Sequence, residues 1–256
     1  MHSPIAPPLV SVVVPTRNEA RNLEVVLPAL AALRPAVHEI IVVDGHSTDD
    51  TVATARRVLP AATVVQQSRT GKGNALACGF AIASGDIVVM FDADGSADPR
   101  EIPAFVAALR AGADVAKGSR FVRGGGSEDI TLLRGAGNAA LSAVANLLFG
   151  TAYTDLCYGY NAFWTRLLPL LDLPAVDGVE PRWGDGFEIE TLLNCRVAAA
   201  GLMITEVAST ERERIFGRSN LRTFSDGARV LRTLLAERVR ARQAPVHAAR
   251  TVPVEA

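Results

Sequence analysis

The chain has 256 residues, 49% of them hydrophobic, which is long and apolar enough to bury a large core in one globular unit. Its formal net charge of −1 excludes a uniformly basic, nucleic-acid-binding surface. Three widely spaced cysteines lack zinc-ligand spacing and are typical of a reduced, cytoplasmic protein, and neither a signal peptide nor a membrane-spanning segment is expected.

The first 120 residues alternate strand and helix patterns. Continuous β-branched runs predict strands buried on both faces, and apolar residues at helical spacing predict helices between them. The strands are expected at 9–15, 39–44, 63–67, 86–92 and 114–120, and the helices at 18–33, 47–59, 73–84 and 99–112. This alternation predicts a doubly wound, mostly parallel α/β sheet with helices on both faces.

The pattern changes after residue 120. A glycine-rich loop leads to an apolar segment at 132–149, a short strand at 158–164, a helix near 187–200, a strand at 202–209 and an arginine-rich helix at 220–242. We therefore expect an N-terminal extension (1–8), a main domain (9–210), a basic loop with a C-terminal helix (211–243), and a disordered tail (244–256).

Two aspartates, Asp92 and Asp94, follow the fourth predicted strand. Residues i and i+2 of an extended segment point the same way, and ligands of open parallel sheets bind beyond the carboxyl ends of the strands. Mg²⁺ or Mn²⁺ is commonly held by one or two carboxylates together with substrate phosphates. The stretch alone supports equally a metal and diphosphate site and a solvated turn.

Two other known motifs could in principle contain Asp92 and Asp94. An EF-hand calcium loop is excluded, because its twelfth position would be Pro103. The haloacid dehalogenase phosphatase motif fits residues 88–96, with Asp92 as nucleophile and Asp94 as general acid, although that motif usually follows the first strand of its fold.

Four stretches in order favour a different family. VVVPTRNEARNL, IIVVDGHSTDDTV, GKGNALACGFAIASGDIVVMFDADGSADP and KGSRFVRGG resemble the family 2 glycosyltransferases, most closely the dolichol- and polyprenyl-phosphate mannose synthase branch. The resemblance covers about residues 9–210. It implies the GT-A fold, a Rossmann-like sheet, and transfer of a hexose from a nucleoside diphosphate such as GDP or UDP.

The resemblance also implies roles for individual residues. Pro15, Arg17 and Glu19 would line the nucleotide pocket, and Asp44 would accept hydrogen bonds from the base or ribose, although the second acid that often follows it is replaced by Gly45. Lys72, between two glycines, would approach the diphosphate. Asp92 and Asp94 would be the Asp-x-Asp pair that binds Mg²⁺ or Mn²⁺.

The expected reaction needs charge stabilisation on the leaving nucleotide, which a divalent cation provides, and attack by the acceptor inverts the anomeric configuration. A hydroxyl acceptor would need a carboxylate base, and GDGFEIE supplies Asp185, Glu188 and Glu190, of which Asp185 and Glu188 are the main candidates. A lipid phosphate acceptor is already an anion and needs cations instead.

Arginines supply candidate cations for such an acceptor. Arg120, Arg123 and Arg134 match acceptor-phosphate positions of the polyprenyl-phosphate enzymes and stand beside an apolar segment that could cover a lipid tail. A second set, Arg214, Arg218 and Ser219, would close over the diphosphate or form an ordinary basic loop.

The arginine-rich C-terminal helix can either lie on an anionic membrane surface or pack through Val230, Leu231, Leu234 and Leu235, and packing is slightly favoured. The sequence therefore predicts a cytoplasmic, inverting, metal-dependent glycosyltransferase with a polyprenyl-phosphate acceptor, with peripheral contact at the inner membrane face as an option. Alternatives are a soluble hydroxyl acceptor, a phosphatase, and a nucleotide-sugar-binding protein without turnover.

Overall fold

A computed structural model of the chain describes residues 6–217 and 223–243. The strands are β1 (Val10–Thr16), β2 (Glu39–Asp44), β3 (Thr63–Gln66), β4 (Ile87–Met90), β5 (Val115–Ser119), β6 (Gly126–Ser127), β7 (Asn161–Trp164), β8 (Ile204–Ala208) and β9 (Thr210–Glu211). The helices are α1 (Ala20–Ala31), α2 (Thr51–Val58), α3 (Lys72–Ile82), α4 (Ile102–Arg110), α5 (Leu132–Phe149), α6 (Leu168–Leu171), α7 (Ile189–Ala199) and α8 (Thr223–Gln243).

Seven strands form one sheet in the order β3-β2-β1-β4-β7-β5-β8. All neighbouring pairs are parallel except those of β7, which runs antiparallel to both β4 and β5. The prediction of a doubly wound, mostly parallel sheet is confirmed. A separate pair, β6 with β9, ties the glycine-rich loop to the segment after β8.

The continuous apolar pattern of the strands is explained by two cores, one on each face of the sheet. Along β1, Val12 and Val14 face the core that α1 and α4 cover, whereas Val13 faces the core that α3 and α7 cover. Because alternate residues enter opposite cores, no position along the strand can be polar without a partner.

A third, smaller core joins α5, α7 and α8. Ala145 of α5, Cys195 of α7 and Leu234 of α8 are buried in it. The prediction that α8 packs through Val230, Leu231, Leu234 and Leu235 is half right: Leu234 is buried and Val230 packs against the core, but Leu231 and Leu235 are exposed. Residues 230 and 234 lie on the side of the helix that faces the core, whereas residues 231 and 235 lie on an adjacent side.

Most element boundaries differ from the sequence prediction by one to four residues, and two of the differences concern the candidate site and the C-terminal helix. β4 ends at Met90, so the two aspartates stand in the loop beyond the strand rather than on it. The described part of α8 begins at Thr223, and the predicted start of that helix at residue 220 lies outside the described residues, as does the predicted tail at 244–256.

Candidate active site

The nucleotide-site candidates meet at one edge of the sheet. β2, β1 and β4 are parallel neighbours, with Thr16 opposite Asp44 and Val13 opposite Met90, so the residues that follow each strand emerge side by side. The candidates brought to this edge are Pro15, Arg17, Glu19, Asp44, Asp92 and Asp94. The edge is the place where ligands of open parallel sheets bind.

Asp44 is buried at the end of β2 and anchors the loop that follows it. Both of its carboxylate oxygens lie 3.3 Å from the backbone nitrogen of Ser47, which donates to them. Pro15 is half-buried in β1 and Arg17 is exposed directly beyond it. The loops after β1 and β2 are linked as well, because the backbone nitrogen of Asn18 donates to Ser47 Oγ at 2.8 Å.

Lys72 lies between two carboxylates. Its Nζ is 2.6 Å from Asp92 Oδ1 and 2.6 Å from Glu190 Oε1. Burial alone would lower the pKa of Lys72, but the two carboxylates hold that pKa above its usual value, so the ammonium stays charged. Burial raises the pKa of Glu190, and Lys72 opposes this. The structure thus places a permanent cation against the first acid of the pair.

Arg214 binds the second acid. Its guanidinium lies 2.7 Å from Glu19 Oε1 and 3.1 Å from Asp94 Oδ2. The other oxygen of Asp94 accepts hydrogen bonds from the backbone nitrogen (3.0 Å) and hydroxyl (2.7 Å) of Ser96. The backbone nitrogen of Ile215 also donates to the carbonyl of Asp94, at 3.1 Å, so the segment after β9 lies along the aspartate loop.

Of the three residues expected to close over the diphosphate, Arg214 lies beside the aspartate pair. Arg218 and Ser219, which were expected to act with it, lie outside the described residues.

The glycines on either side of Lys72 lie against the loop before α7. A methyl group on Gly73 would lie 1.8 Å from the carbonyl oxygen of Gly184, and one on Gly71 would lie 2.2 Å from that of Asp185. Gly71 also has a φ of +127°, which disfavours any residue with a side chain. These glycines leave room for the loop before α7 to pack against the start of α3.

Asp185 and Glu188 organise that same loop. Arg69 holds Asp185 with two hydrogen bonds of 2.8 Å, and both side chains are buried. Oε1 of Glu188 accepts from the backbone nitrogens of Gly184 (3.0 Å) and Gly186 (3.2 Å). Arg69 was not identified from the sequence, because its partner lies 116 residues away and nothing local marks it.

The three acceptor-side arginines have different surroundings. Arg120 is buried, donates to Asp155 at 2.7 and 2.9 Å, and donates to Glu211 at 2.8 Å. Burial alone would raise the pKa of Asp155, but the bonds from Arg120 hold that pKa below its usual value. Arg134, at the start of α5, is partly exposed beside Asp129 at 3.0 Å, and Arg123 is exposed. Arg123 and Arg134 are therefore the accessible cations of the three.

The aspartate pair suits a divalent cation that a bound diphosphate also contacts. Within the described ranges, 6–217 and 223–243, no three His, Cys, Asp or Glu residues form a complete metal cage. The side chains of Asp92 and Asp94 are 37% and 20% exposed, so they keep carboxylate oxygens open to the cleft. Mg²⁺ and Mn²⁺ are commonly bound by one or two carboxylates together with phosphate oxygens of a ligand. Asp92 and Asp94 are therefore suitable ligands for either ion.

This sheet, with an acidic pair beyond its fourth strand, is the GT-A fold. The chain resembles the solved structure of glucosyl-3-phosphoglycerate synthase from Mycobacterium tuberculosis in complex with Mn²⁺, UDP-glucose and phosphoglyceric acid, with a TM-score of 0.69 and 28% identity; the match covers 91% of this chain and 80% of that one. Residues 11–165 match the family described as Glycosyl transferase family 2, and the chain belongs to that family.

Two curated relatives are similar to this chain over most of its length. The polyprenol monophosphomannose synthase of Mycolicibacterium smegmatis is 34% identical over 82% of this chain and 80% of its own length. The undecaprenyl-phosphate mannosyltransferase of Micrococcus luteus is 33% identical over 82% of this chain and 86% of its own. The protein is therefore a glycosyltransferase close to the polyprenyl-phosphate mannose synthases, and the phosphatase interpretation of residues 88–96 is wrong.

Proposed function

We propose that the protein is an inverting, metal-dependent hexosyltransferase that moves mannose or glucose from a GDP- or UDP-sugar to a polyprenyl phosphate. The observation that carries the proposal is the arrangement beyond β4, where Asp92 and Asp94 stand beside the cations Lys72 and Arg214. The mannose synthases of M. smegmatis and M. luteus, similar over most of this chain, support the choice of acceptor.

Asp92 and Asp94 would hold Mg²⁺ or Mn²⁺, which when bound stabilises the negative charge that develops on the departing nucleotide. Lys72 and Arg214 donate to the diphosphate oxygens from either side. Their present partners, Asp92, Glu190, Glu19 and Asp94, keep both cations charged and oriented before the donor arrives. Pro15, Arg17 and Asp44 line the part of the edge that receives the nucleoside.

The proposed reaction needs no general base. A phosphate monoester acceptor is already ionised at neutral pH, so it attacks the anomeric carbon directly. Asp185 and Glu188 position the loop before α7, and their carboxylates are engaged by Arg69 and by backbone nitrogens. Arg123 and Arg134 bind the acceptor phosphate, while Arg120 with Asp155 fixes the loop that carries Arg123.

A soluble acceptor is the second candidate. The glucosyl-3-phosphoglycerate synthase of M. tuberculosis was crystallised with phosphoglyceric acid, which also presents a phosphate. The same two arginines could bind either acceptor through that group. We place the enzyme in the cytoplasm, at the inner face of the membrane if its acceptor is lipid-linked.

The donor site is tested by calorimetric titration of the whole chain with GDP, UDP and their sugars, with and without Mn²⁺ or Mg²⁺. We expect one nucleotide to bind only with metal and only when Asp94 is intact, so that Asp94→Ala removes the binding. Absence of metal-dependent binding to every nucleotide would refute the proposed donor site.

The acceptor is tested by transfer of labelled sugar to undecaprenyl phosphate and, separately, to 3-phosphoglycerate. We expect transfer to the lipid, and expect Arg134→Ala to raise the KM for it about tenfold with little change in kcat, because a charge-assisted bond to the phosphate is lost. Arg57→Ala, which removes an exposed arginine paired with Glu24, is the control. Transfer to phosphoglycerate alone would favour the second candidate.

A further inference from the structure

Gln67 is a buried glutamine directly after β3 whose side chain has no partner in the protein. The residue is 4% exposed, and its backbone nitrogen donates to the carbonyl of Asp44 at 3.0 Å. Within residues 6–217 and 223–243, the carboxamide of Gln67 takes part in no hydrogen bond. Most buried polar groups are paired, because an unpaired one costs free energy. Gln67 therefore keeps a hydrogen-bonding group that the described fold does not use.

The carboxamide of Gln67 lies beside the loop that follows β2. A Cβ placed on Gly45, the first residue of that loop, would be 3.6 Å from Gln67 Nε2. The same Cβ would be 3.1 Å from the carbonyl oxygen of Thr16 and 3.3 Å from the Cβ of Arg17. Because Gly45 has no side chain, the amide nitrogen of Gln67 reaches the space between the loops after β1 and β2.

Asp44 stands next to this carboxamide with spare capacity of its own. It is 1% exposed, and it lies opposite Gln66 in the pairing of β2 with β3. In the described part of the chain, its carboxylate accepts only from the backbone nitrogen of Ser47, at 3.3 Å from each oxygen. A carboxylate has about four acceptor positions, and a carboxamide has two donors and two acceptor positions. Such a pair suits a ligand that presents an N–H beside a C=O.

We propose that Gln67 binds the nucleobase of the donor, with its Nε2 donating to a carbonyl oxygen of the base while Asp44 accepts from the adjacent ring N–H. This inference rests on the proposed function, which places the nucleoside at this edge. Guanine presents the required N–H and carbonyl at N1 and O6, and uracil presents them at N3 and O4.

The same pair of groups should reject adenine and cytosine. These bases carry an amino group in place of that carbonyl, and their adjacent ring nitrogen has no proton. The carboxamide of Gln67 can turn over to suit either arrangement, but a carboxylate can only accept. Asp44 would then face a ring nitrogen that is also an acceptor, so selectivity arises from the two residues together.

The test is calorimetric titration of the whole chain with GDP, UDP, ADP and CDP in the presence of Mg²⁺, and with pyrophosphate, which lacks a base. We expect GDP or UDP to bind at least about 100-fold more tightly than ADP and CDP. Gln67→Met keeps the length of the side chain and removes its hydrogen bonds. It should weaken binding of the preferred nucleotide about tenfold and leave ADP, CDP and pyrophosphate unchanged.

A second variant, Gln67→Glu, tests the direction of the hydrogen bond. Its carboxylate would face the carbonyl oxygen of the base with a second acceptor and would stand beside Asp44. We therefore expect the affinity for the preferred nucleotide to fall about 100-fold, with pyrophosphate again unchanged. Equal affinities of Gln67→Glu and the parent for that nucleotide would overturn the proposed bond.

The matched control is Gln66→Met, the same exchange at the exposed neighbour that ends β3, which should leave every affinity unchanged. Thermal unfolding verifies that the variants fold. Gln67→Met should melt no lower than the parent, because it removes an unpaired buried carboxamide. The proposal is overturned if Gln67→Met binds the preferred nucleotide as the parent does, if it weakens pyrophosphate to the same extent, or if the parent binds ADP or CDP equally well.

Failure of this inference is separable from failure of the proposed function. A parent chain that binds no nucleotide in the presence of metal refutes the donor site, and the base contact with it. A parent chain that binds GDP or UDP, with no change in Gln67→Met, keeps the donor site and loses only the base contact.

Discussion

The two sides of the cleft use their charges differently. On the donor side, the loops after β1 and β4 carry Glu19, Asp92 and Asp94, which are partly exposed and paired with cations that a ligand can draw away. On the acceptor side, Arg120 and Asp155 are buried together and closed to solvent. The same kind of ion pair is accessible to solvent in one region and closed to it in the other, so we propose a binding role for the first and a structural role for the second.

The largest effect should come from the donor side. Asp94→Ala removes a carboxylate from the proposed metal site, so we expect sugar transfer to fall at least about 10³-fold with little change in the free energy of unfolding. The assay is steady-state transfer with urea unfolding alongside. Asp86→Ala, just before the first residue of β4, is the control because it changes an exposed acid far from the cleft. Equal losses in both variants would contradict the assignment.

On the acceptor side, Asp155→Ala should act on stability. The change leaves the Arg120 guanidinium buried without its main partner, which we expect to lower the free energy of unfolding by about 3 kcal/mol. Asp129→Ala, which frees the partly exposed Arg134, should change it by less than about 0.5 kcal/mol. Both changes in the free energy of unfolding are measured by urea unfolding. Similar losses in Asp155→Ala and Asp129→Ala would contradict the distinction between a buried and an accessible arginine.

A glycine substitution tests the contact between the start of α3 and the loop before α7. Gly73→Ala forces a methyl group against the carbonyl of Gly184, and we expect a loss of about 1–3 kcal/mol in the free energy of unfolding. In α5, Gly137 has no heavy atom near the place of a Cβ, so Gly137→Ala should instead gain up to about 1 kcal/mol. If Gly73→Ala leaves the free energy of unfolding unchanged, the loop before α7 can shift to accommodate the added methyl group.

The smallest effect concerns pH. Because the pKa of Asp155 is lowered in the folded state, the unfolded state binds more protons in acid, and the stability that the Arg120 pair contributes is present above about pH 4 and lost as pH falls through the folded-state value. The difference in unfolding free energy between the parent and Asp155→Asn should be constant from pH 7 to about pH 5 and shrink below pH 4. A difference that grows in acid would reverse the sign of this linkage.

The sequence predicts the donor side well, because its information is local. A β-branched run followed by an acid defines both a buried strand and the residue at its end, so Asp44, Asp92 and Asp94 could be placed beside one another before any coordinates. Other contacts near the candidate site could not be predicted. Arg69 and Asp185 meet only because the loop before α7 folds over α3, and no periodicity in either segment records that contact.

The acceptor side was harder to predict from the sequence, because the orientation of its long helix depends on contacts with another segment. The apolar pattern of 132–149 correctly predicts a long helix, but hydropathy does not tell which side of it faces inward. That orientation is decided by three polar side chains that satisfy the backbone of residues 153–157, and the apolar residues are left outside as a result. The exposed leucines on α8 follow from the same packing, since Leu234 and Val230 are the α8 side chains that face the core between α5 and α7.

The ion pairs in and around the candidate site also bear on how the chain folds. Lys72 and Glu190 are 118 residues apart, Arg69 and Asp185 are 116 apart, and Glu19 and Arg214 are 195 apart. Contacts so distant in sequence close late, after the sheet that supports them. A nascent chain still lacking residue 214 would have the sheet edge but only part of the cleft. If the chain binds a nucleotide sugar as we propose, that ligand should stabilise the fold only once residue 214 has been synthesised.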